Sequence, residues 1–383
     1  MISSMFLFAF LRVGLVDSFD FARQFDVETT NGTEKVAAHV LGHGANVLWW
    51  RTNGGAIQRY PTREEPAAYQ QRPFSKLRVH DDRLFYGPLR LDRGETNLIA
   101  HAREWCRRKG VPFGIHMSYE ENHSGASLLG EWNLRHPEYW CRAKSGTPWP
   151  GRTSMTYREV FERKLRIVAE QLDMDPEWFY VDMYRTGGWT LGYEYVPPMV
   201  DKWRKLYGCE PPDDAADERW IGLFEPYQTA FFRSIKKMIL ARGGKTKLCV
   251  SLNKMDIGAD PCRARFAIDW KKLAAEGTID VIVVASVEPA KVPRRGEFWD
   301  YMRRTYQYVM DNRGKAEVMF SCSMYDYQHG IPTYMKWSGD GRPVVTRKLL
   351  DIAKEVGGTG VILECVDYQN YPDDVVGVLE SFR

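Results

Sequence analysis

Eight short, strongly apolar segments recur along the chain, and most neighbouring pairs are separated by a segment of helical periodicity. Their β-branched and aromatic residues favour strands, and apolar runs without polar alternation are typical of strands covered on both faces. The segments are centred near Val13, Val47, Phe113, Phe179, Leu248, Val281, Val318 and Val361. Alternating β and α elements in a chain of 383 residues predict an α/β fold, a (β/α)8 TIM barrel with long βα loops.

Helices are predicted where apolar residues recur at spacings of three and four. The clearest case is residues 157–172, where Phe161, Leu165 and Leu172 share one face. Further helices are predicted over residues 97–110, 224–242, 266–275, 298–310, 345–356 and 375–382, after a first one that begins near Thr29. The main alternative, an open doubly wound sheet, is disfavoured because no G-x-G-x-x-G turn follows the first strand.

The long polar segments indicate loop insertions rather than a second domain. We place them near residues 53–93, 119–155 and 187–223 and predict one barrel domain spanning residues 1–383. The proline-rich segment 190–225 is interpreted as one of these loops.

Charge and cysteine usage exclude some partners. A formal net charge of +3, with 53 basic and 50 acidic residues, gives no nucleic-acid footprint. The apolar start, residues 1–10, is too short to span a membrane, although a degenerate signal peptide remains open. Seven cysteines without a CxxC pair favour free thiols and a cytoplasmic location, with periplasmic or secreted alternatives. Oligomeric state stays unknown.

The segment 178–189 carries the strongest candidate for chemistry. An apolar run ends in Asp182, followed by Arg185 and a glycine pair that leaves space for a ligand. A carboxylate at the end of a buried strand requires pairing, metal ligation or a catalytic role, and active sites of parallel barrels lie at the carboxyl ends of strands. Pairing with Arg185 is the structural alternative.

Glu288 and Glu364 lie at or just after the ends of two other apolar strands. Glycoside hydrolysis requires two carboxyl groups on either side of the scissile bond, and a pair across a barrel mouth can supply them. We cast Asp182 as the nucleophile, because Arg185 would keep it ionised. Glu288 is the first choice for the acid/base, because an apolar setting raises a carboxyl pKa. Glu364 is the second choice, and a salt bridge is the alternative for either glutamate.

Aromatic residues make up 13% of the chain, and their flat faces suit sugar rings. The candidates for contacting a carbohydrate substrate are Trp49, Trp50, Arg51, His116, Glu121, His123, Tyr184, Arg185, Trp189, Asn253, Lys254, Tyr325 and His329. A metal site from His116, Glu120 and His123 is the alternative for part of this set, but no H-E-x-x-H spacing is present. We therefore predict no metal and no cofactor.

Residues 107–118, 136–140 and 178–185 together resemble TIM-barrel glycoside hydrolases, in particular the retaining α-fucosidase and α-galactosidase group. In that group a helix ending in Lys-Gly is followed by a strand, a loop with His-Pro-Glu-Trp, and a fourth strand ending in the nucleophilic aspartate. The resemblance implies a barrel over nearly the whole chain and a nucleophile at Asp182. The paired histidines of many α-fucosidases and a β-sandwich after the barrel are absent here, and the resemblance aligns no acid/base residue.

The predicted function is retaining hydrolysis of a glycosidic bond in an oligo- or polysaccharide. Two alternatives remain: a carbohydrate-binding barrel without catalysis, and a different barrel enzyme such as a lyase or metal-dependent hydrolase.

Overall fold

The predicted barrel is confirmed: eight parallel strands form a closed ring in the computed structural model. The structure describes residues 10–17, 21, 24–27, 29–54, 57–58, 60–64, 75–79, 83–86, 97–119, 131–183, 190–257, 260–323, 330–364 and 373–382. The barrel strands are β1 (Leu11–Val16), β2 (Val47–Arg51), β3 (Phe113–Ser118), β4 (Trp178–Asp182), β5 (Lys247–Leu252), β6 (Val281–Val284), β7 (Glu317–Ser321) and β8 (Gly360–Leu363). Each strand pairs with its neighbours in sequence.

The first and last strands close the ring. Val13 of β1 lies opposite Val47 of β2 on one side and opposite Ile362 of β8 on the other. Since both edges of the sheet are paired in this way, the eight strands leave no open edge within the barrel.

The described helices surround the ring. They are α1 (Thr30–Gly42), α2 (Leu98–Lys109), α3 (Glu131–Arg135), α4 (Arg158–Leu172), α5 (Pro197–Tyr207), α6 (Glu218–Ala241), α7 (Pro261–Phe266), α8 (Trp270–Ala275), α9 (Phe298–Asn312), α10 (Ile331–Ser338), α11 (Arg342–Glu355) and α12 (Asp373–Glu380). None of the helices in the described residues is both long enough and apolar enough to cross a membrane.

Three helical details correct the sequence predictions. The segment 190–225 is not only loop, because it contains α5 and the beginning of α6. Residues 266–275 do not form one helix, since α7 ends at a left-handed Ala267 and α8 begins at Trp270. The helix α10 was not predicted at all.

Short antiparallel hairpins lie in the predicted insertions. One joins Asn53–Gly54 to Ile57–Gln58, another joins Ser75–Val79 to Arg83–Tyr86, and a third joins Trp140–Arg142 to Pro148–Thr153. The third hairpin stands between β3 and α4, so it belongs to a loop that leaves the carboxyl end of the barrel.

Large side chains fill the centre of the barrel. Trp49 packs there against Trp178 and Tyr180, with ring centroids 6.3 and 5.1 Å away. Gly114 on β3 makes room for this indole, because a Cβ atom at that position would lie 2.3 Å from Trp49 Cδ1. A second, larger apolar layer separates the strands from the helices and includes Trp50 and Ile115.

Candidate functional site

The inward faces of the strands change from apolar to polar towards the carboxyl end of the barrel. On β4, Trp178 and Tyr180 belong to the apolar interior, and Asp182 is the next residue on that face. Other strands follow the same alternation. The resulting inner rim consists of the buried side chains Asp17, Arg51, His116, Asp182, Ser251, Asn253 and Glu364. Burial of this many polar groups at one end of a barrel is the observation that locates a candidate site.

Asp182 is held by side chains of both neighbouring strands. One carboxylate oxygen, Oδ2, lies 3.0 Å from Nε2 of His116 on β3. The other, Oδ1, accepts a hydrogen bond of 3.3 Å from the Ser251 hydroxyl on β5, and the Ser251 oxygen accepts the Met183 N–H at 2.7 Å. These contacts on both carboxylate oxygens fix the orientation of the carboxylate plane. Asp182 is only 1% exposed.

A buried ion pair occupies the rim at β1 and β2. Nη1 of Arg51 donates a short hydrogen bond to Oδ2 of Asp17, and Arg51 is 3% exposed. The Arg51 Nε is also buried and has no hydrogen-bond partner among the described residues. Asp17 thus balances the charge of the guanidinium group, while the Nε–H of Arg51 makes no hydrogen bond to the described residues.

A strained turn follows β5. Lys254 has a positive φ of 54°, a backbone conformation that is uncommon for residues other than glycine. The turn is fixed by the Lys254 N–H, which donates to the Ser286 hydroxyl oxygen at 2.8 Å, and by the Asn253 N–H, which lies 3.2 Å from the Cys262 sulfur. Burial raises the pKa of the Cys262 thiol to about 12, so the sulfur stays protonated at neutral pH.

Asn253 itself is 3% exposed and continues the inward face that Cys249 and Ser251 occupy on β5. Its side-chain oxygen Oδ1 is buried and makes no hydrogen bond to the described residues. A buried acceptor without a donor lowers the free energy of unfolding by about 1–3 kcal/mol, so the protein carries an unrecovered cost at this atom.

The two candidate glutamates have different surroundings. Glu288 is not in the apolar setting that was predicted, because its side chain is 33% exposed and its Oε2 lies 2.8 Å from Nζ of Lys254. Glu364 follows Gly360 and Ile362 on the inward face of β8, and its Oε2 accepts a hydrogen bond of 3.4 Å from the Ser323 hydroxyl. The ring order places β8 opposite β4, so Glu364 and Asp182 belong to opposite sides of the rim.

The positions of the two tryptophans on β2 speak against the predicted contact with substrate. Trp49 lies in the barrel centre at 0% exposure, and Trp50 points the other way into the layer beneath the helices. Neighbouring residues on a strand face opposite sides of the sheet, and here both sides are core. Neither indole presents a face to a ligand in this structure.

The structure thus brings together Arg51, His116, Asn253 and Asp182 from the predicted set, with Lys254 and Glu288 paired beside them. The remaining candidates, Glu121, His123, Tyr184, Arg185, Trp189, Tyr325 and His329, lie outside the described residues. Sequence reasoning missed Ser251, although the alternation of a strand puts it on the same face as Asn253, which was a candidate. Within the described residues there is no group of three or more His, Cys, Asp or Glu side chains that could hold a metal ion.

No protein-family model matches the sequence. No curated protein matches it either.

Solved structures, in contrast, share its architecture. A β-galactosidase from the psychrophilic Marinomonas ef1 aligns with a TM-score of 0.58 and 9% identity, over 97% of this chain and 59% of that one. An endo-β-1,4-mannanase from Thermotoga petrophila aligns with a TM-score of 0.52 and 11% identity, over 100% of this chain and 77% of that one. An α-L-fucosidase from Lactobacillus casei gives a TM-score of 0.41 at 10% identity, over 91% and 79%. At such identities the first two establish a common fold and nothing beyond it, and that fold is the TIM barrel.

Proposed function

We propose that the chain is a glycoside hydrolase that cleaves a glycosidic bond in an oligo- or polysaccharide with retention of configuration. The proposal rests above all on Asp182, a carboxylate oriented by His116 and Ser251 at the carboxyl end of the fourth barrel strand. A fixed carboxylate at this place can attack an anomeric carbon without losing orientational freedom at the moment of reaction.

The fold supports the same class of enzyme, the glycoside hydrolases. The two solved structures described above that align above a TM-score of 0.5 are named as a β-galactosidase and an endo-β-1,4-mannanase. Both names denote enzymes that act on glycosides. Because fold alone does not determine function, the argument still depends on the rim residues.

The proposed chemistry needs two carboxyl groups. Asp182 attacks the anomeric carbon and forms a covalent glycosyl ester, while a carboxylic acid donates its proton to the departing glycosidic oxygen. The same acid, now a carboxylate, then takes a proton from a water molecule whose oxygen replaces Asp182 at the anomeric carbon. The sugar is released with its original configuration, and both carboxyl groups regain their starting states.

Glu364 suits the acid/base role better than Glu288. It is buried on the inward face of β8, on the side of the rim opposite Asp182, and a neutral hydroxyl contacts it. Glu288 is paired with the Lys254 ammonium at 2.8 Å, so its carboxyl group is already engaged by a cation of the neighbouring loop. A carboxyl group in an ion pair is a poorer proton donor to a leaving group than one that contacts a neutral hydroxyl.

The proposal is tested with a panel of aryl glycosides and natural polysaccharides, incubated with the wild-type chain and with Asp182→Asn. Asparagine has the same shape and can keep one hydrogen bond to each neighbour, so the variant should fold. We expect turnover to fall by at least about 10³-fold because the nucleophile is lost. A folded Asp182→Asn protein, verified by circular dichroism, with wild-type turnover would remove the assignment.

A carbohydrate-binding barrel without catalysis is the second candidate. The observation in its favour is the burial of Asp182, whose two oxygens both contact protein groups. Under that function, wild-type protein would bind oligosaccharides in the same panel and release no product over a long incubation.

A further inference from the structure

Two buried polar atoms, which lie three strands apart on the inner rim, have no partner among the described residues. One is Nε of Arg51, which is a hydrogen-bond donor, and the other is Oδ1 of Asn253, which is an acceptor. Both side chains are 3% exposed, and both follow apolar inward-facing residues, Trp49 on β2 and Cys249 on β5. The strands that carry them are the second and fifth of the ring.

Neither atom is explained by packing within the described part of the protein. A donor or acceptor that is buried and unsatisfied loses its bonds to water without replacement, at a cost in free energy, and a ligand that supplied the missing partner would recover that cost. The surrounding structure nevertheless holds both residues firmly. Asp17 anchors the Arg51 guanidinium, and Cys262 contacts the Asn253 backbone.

We infer that Arg51 and Asn253 are substrate-positioning residues that select a neutral, hydroxylated sugar over an acidic one. This inference rests on the proposed function and names the substrate class of the same site. A sugar hydroxyl both donates and accepts a hydrogen bond, so hydroxyl groups can satisfy the Asn253 oxygen as well as the Arg51 N–H. An ionised carboxylate only accepts, so a carboxylate placed against Arg51 cannot also donate to Asn253, as a hydroxyl group in that place can.

The charges around the described part of the rim also favour a neutral ligand. Its two cations, Arg51 and Lys254, are each paired with a carboxylate, Asp17 and Glu288 respectively. Asp182 and Glu364 contribute further acidic groups. The summed charge of these described residues is negative, which disfavours a ligand carboxylate placed among them.

The first experiment measures the binding of matched monosaccharides to the wild-type chain by titration calorimetry or saturation-transfer NMR. The probes are glucose with glucuronic acid and galactose with galacturonic acid, and each pair differs only at carbon 6. We expect at least one neutral sugar to bind about tenfold more tightly than its acidic partner, a difference of about 1.4 kcal/mol. Equal or tighter binding of the uronic acids, or no binding of any probe at millimolar concentration, would overturn the inference.

The second experiment uses variants that remove one unsatisfied atom each. Asn253→Leu removes the acceptor and keeps the number of side-chain heavy atoms, and Arg51→Lys keeps the charge opposite Asp17 but removes the Nε donor. We expect each variant to weaken binding of the neutral sugar by about tenfold, while the melting temperature of Asn253→Leu stays unchanged or rises because a buried unpaired acceptor is gone. A clear loss of stability in Asn253→Leu with unchanged sugar binding would show a structural role instead.

The matched control is Asn312→Leu. Asn312 ends α9, the helix that leads into β7, so it lies at the end of the barrel away from the rim. Its amide donates a hydrogen bond of 2.8 Å to the Tyr308 carbonyl, and loss of that bond should leave sugar binding unaltered. The experiments distinguish failure of the proposed function from failure of the proposed selectivity. If neutral sugars bind but no glycoside is hydrolysed, only the hydrolase activity is contradicted. If hydrolysis is confined to uronic-acid substrates, only the selectivity for neutral sugars is contradicted.

Discussion

The proposed chemistry of the rim depends on three buried side chains that lie at or just after the carboxyl ends of their strands. Asp182, Arg51 and Asn253 were predicted because each ends or follows an apolar strand, and the structure buries all three on the inward face. Alternation along a strand does not say which of two adjacent residues faces inward. The sequence predicts ligand contacts for both Trp49 and Trp50 from their place near the end of a predicted strand, whereas the structure places one in the barrel centre and the other in the outer core.

The surroundings of Glu288 show a second limit of prediction from the sequence. Hydrophobic residues before Glu288 suggested an apolar setting, but the partner that matters, Lys254, belongs to the previous βα loop and comes close only in the folded barrel. An ion pair between two loops leaves no periodic signal in the sequence.

The roles of the two glutamates can be separated by leaving-group chemistry. We expect Glu364→Gln to reduce turnover by about 10²–10⁴-fold on aryl glycosides with poor leaving groups, and much less on activated ones that need no proton. Glu288→Gln leaves Lys254 without its carboxylate and serves as the matched control, with a smaller loss that does not depend on the leaving group. The reverse pattern in steady-state kinetics would make Glu288 the acid.

At the scale of secondary structure, strands were easier to predict than helices. Each barrel strand is a continuous apolar run, and its burial on both faces gives the sequence a strong signal. The helix α5 was missed because the prolines of segment 190–225 were interpreted as loop signals, whereas Pro197 lies in the first turn, where a helix tolerates proline. Pro332 has the same place in α10, which the sequence did not predict. In α6, Pro226 even lies within the helix.

Packing between strands gives a prediction at this scale. Gly114→Ala places a Cβ atom 2.3 Å from Trp49 Cδ1 in the barrel centre, so the indole or the strand must move. We expect a loss of about 1–3 kcal/mol in the free energy of unfolding, measured by urea denaturation. The control is Gly222→Ala on α6, where no atom lies within 4 Å of the new Cβ, and there we expect a gain of about 0.5–1 kcal/mol. Equal effects of the two substitutions would contradict the packing described for Trp49.

At the scale of the whole molecule, counting eight alternating units was enough to predict the architecture. Closure of the ring depends on pairing between β1 and β8, which are separated by nearly the entire chain, and no local pattern encodes that contact. The prediction succeeded because parallel strands joined by helices have few compact arrangements. The same closure brings Asp182, at the end of β4, and Glu364, after β8, to one rim although they are far apart in the sequence.

The central claim at this scale is that the carboxyl end of the barrel is a catalytic site in which Asp182 forms a covalent bond to the substrate. Fluorine at carbon 2 of a sugar slows both steps that pass through an oxocarbenium-like transition state, and a good leaving group restores the first step. Such a compound, built on the sugar that the glycoside panel identifies, should therefore trap the glycosyl ester.

The decisive measurement is mass spectrometry of the wild-type chain after reaction with that 2-deoxy-2-fluoro glycoside, followed by peptide mapping. We predict a mass increase of one fluorosugar per chain, located on the peptide that contains Asp182, and no such increase in Asp182→Asn. A label on another carboxylate such as Glu364, or continued turnover of natural substrate with no covalent adduct, would contradict the account.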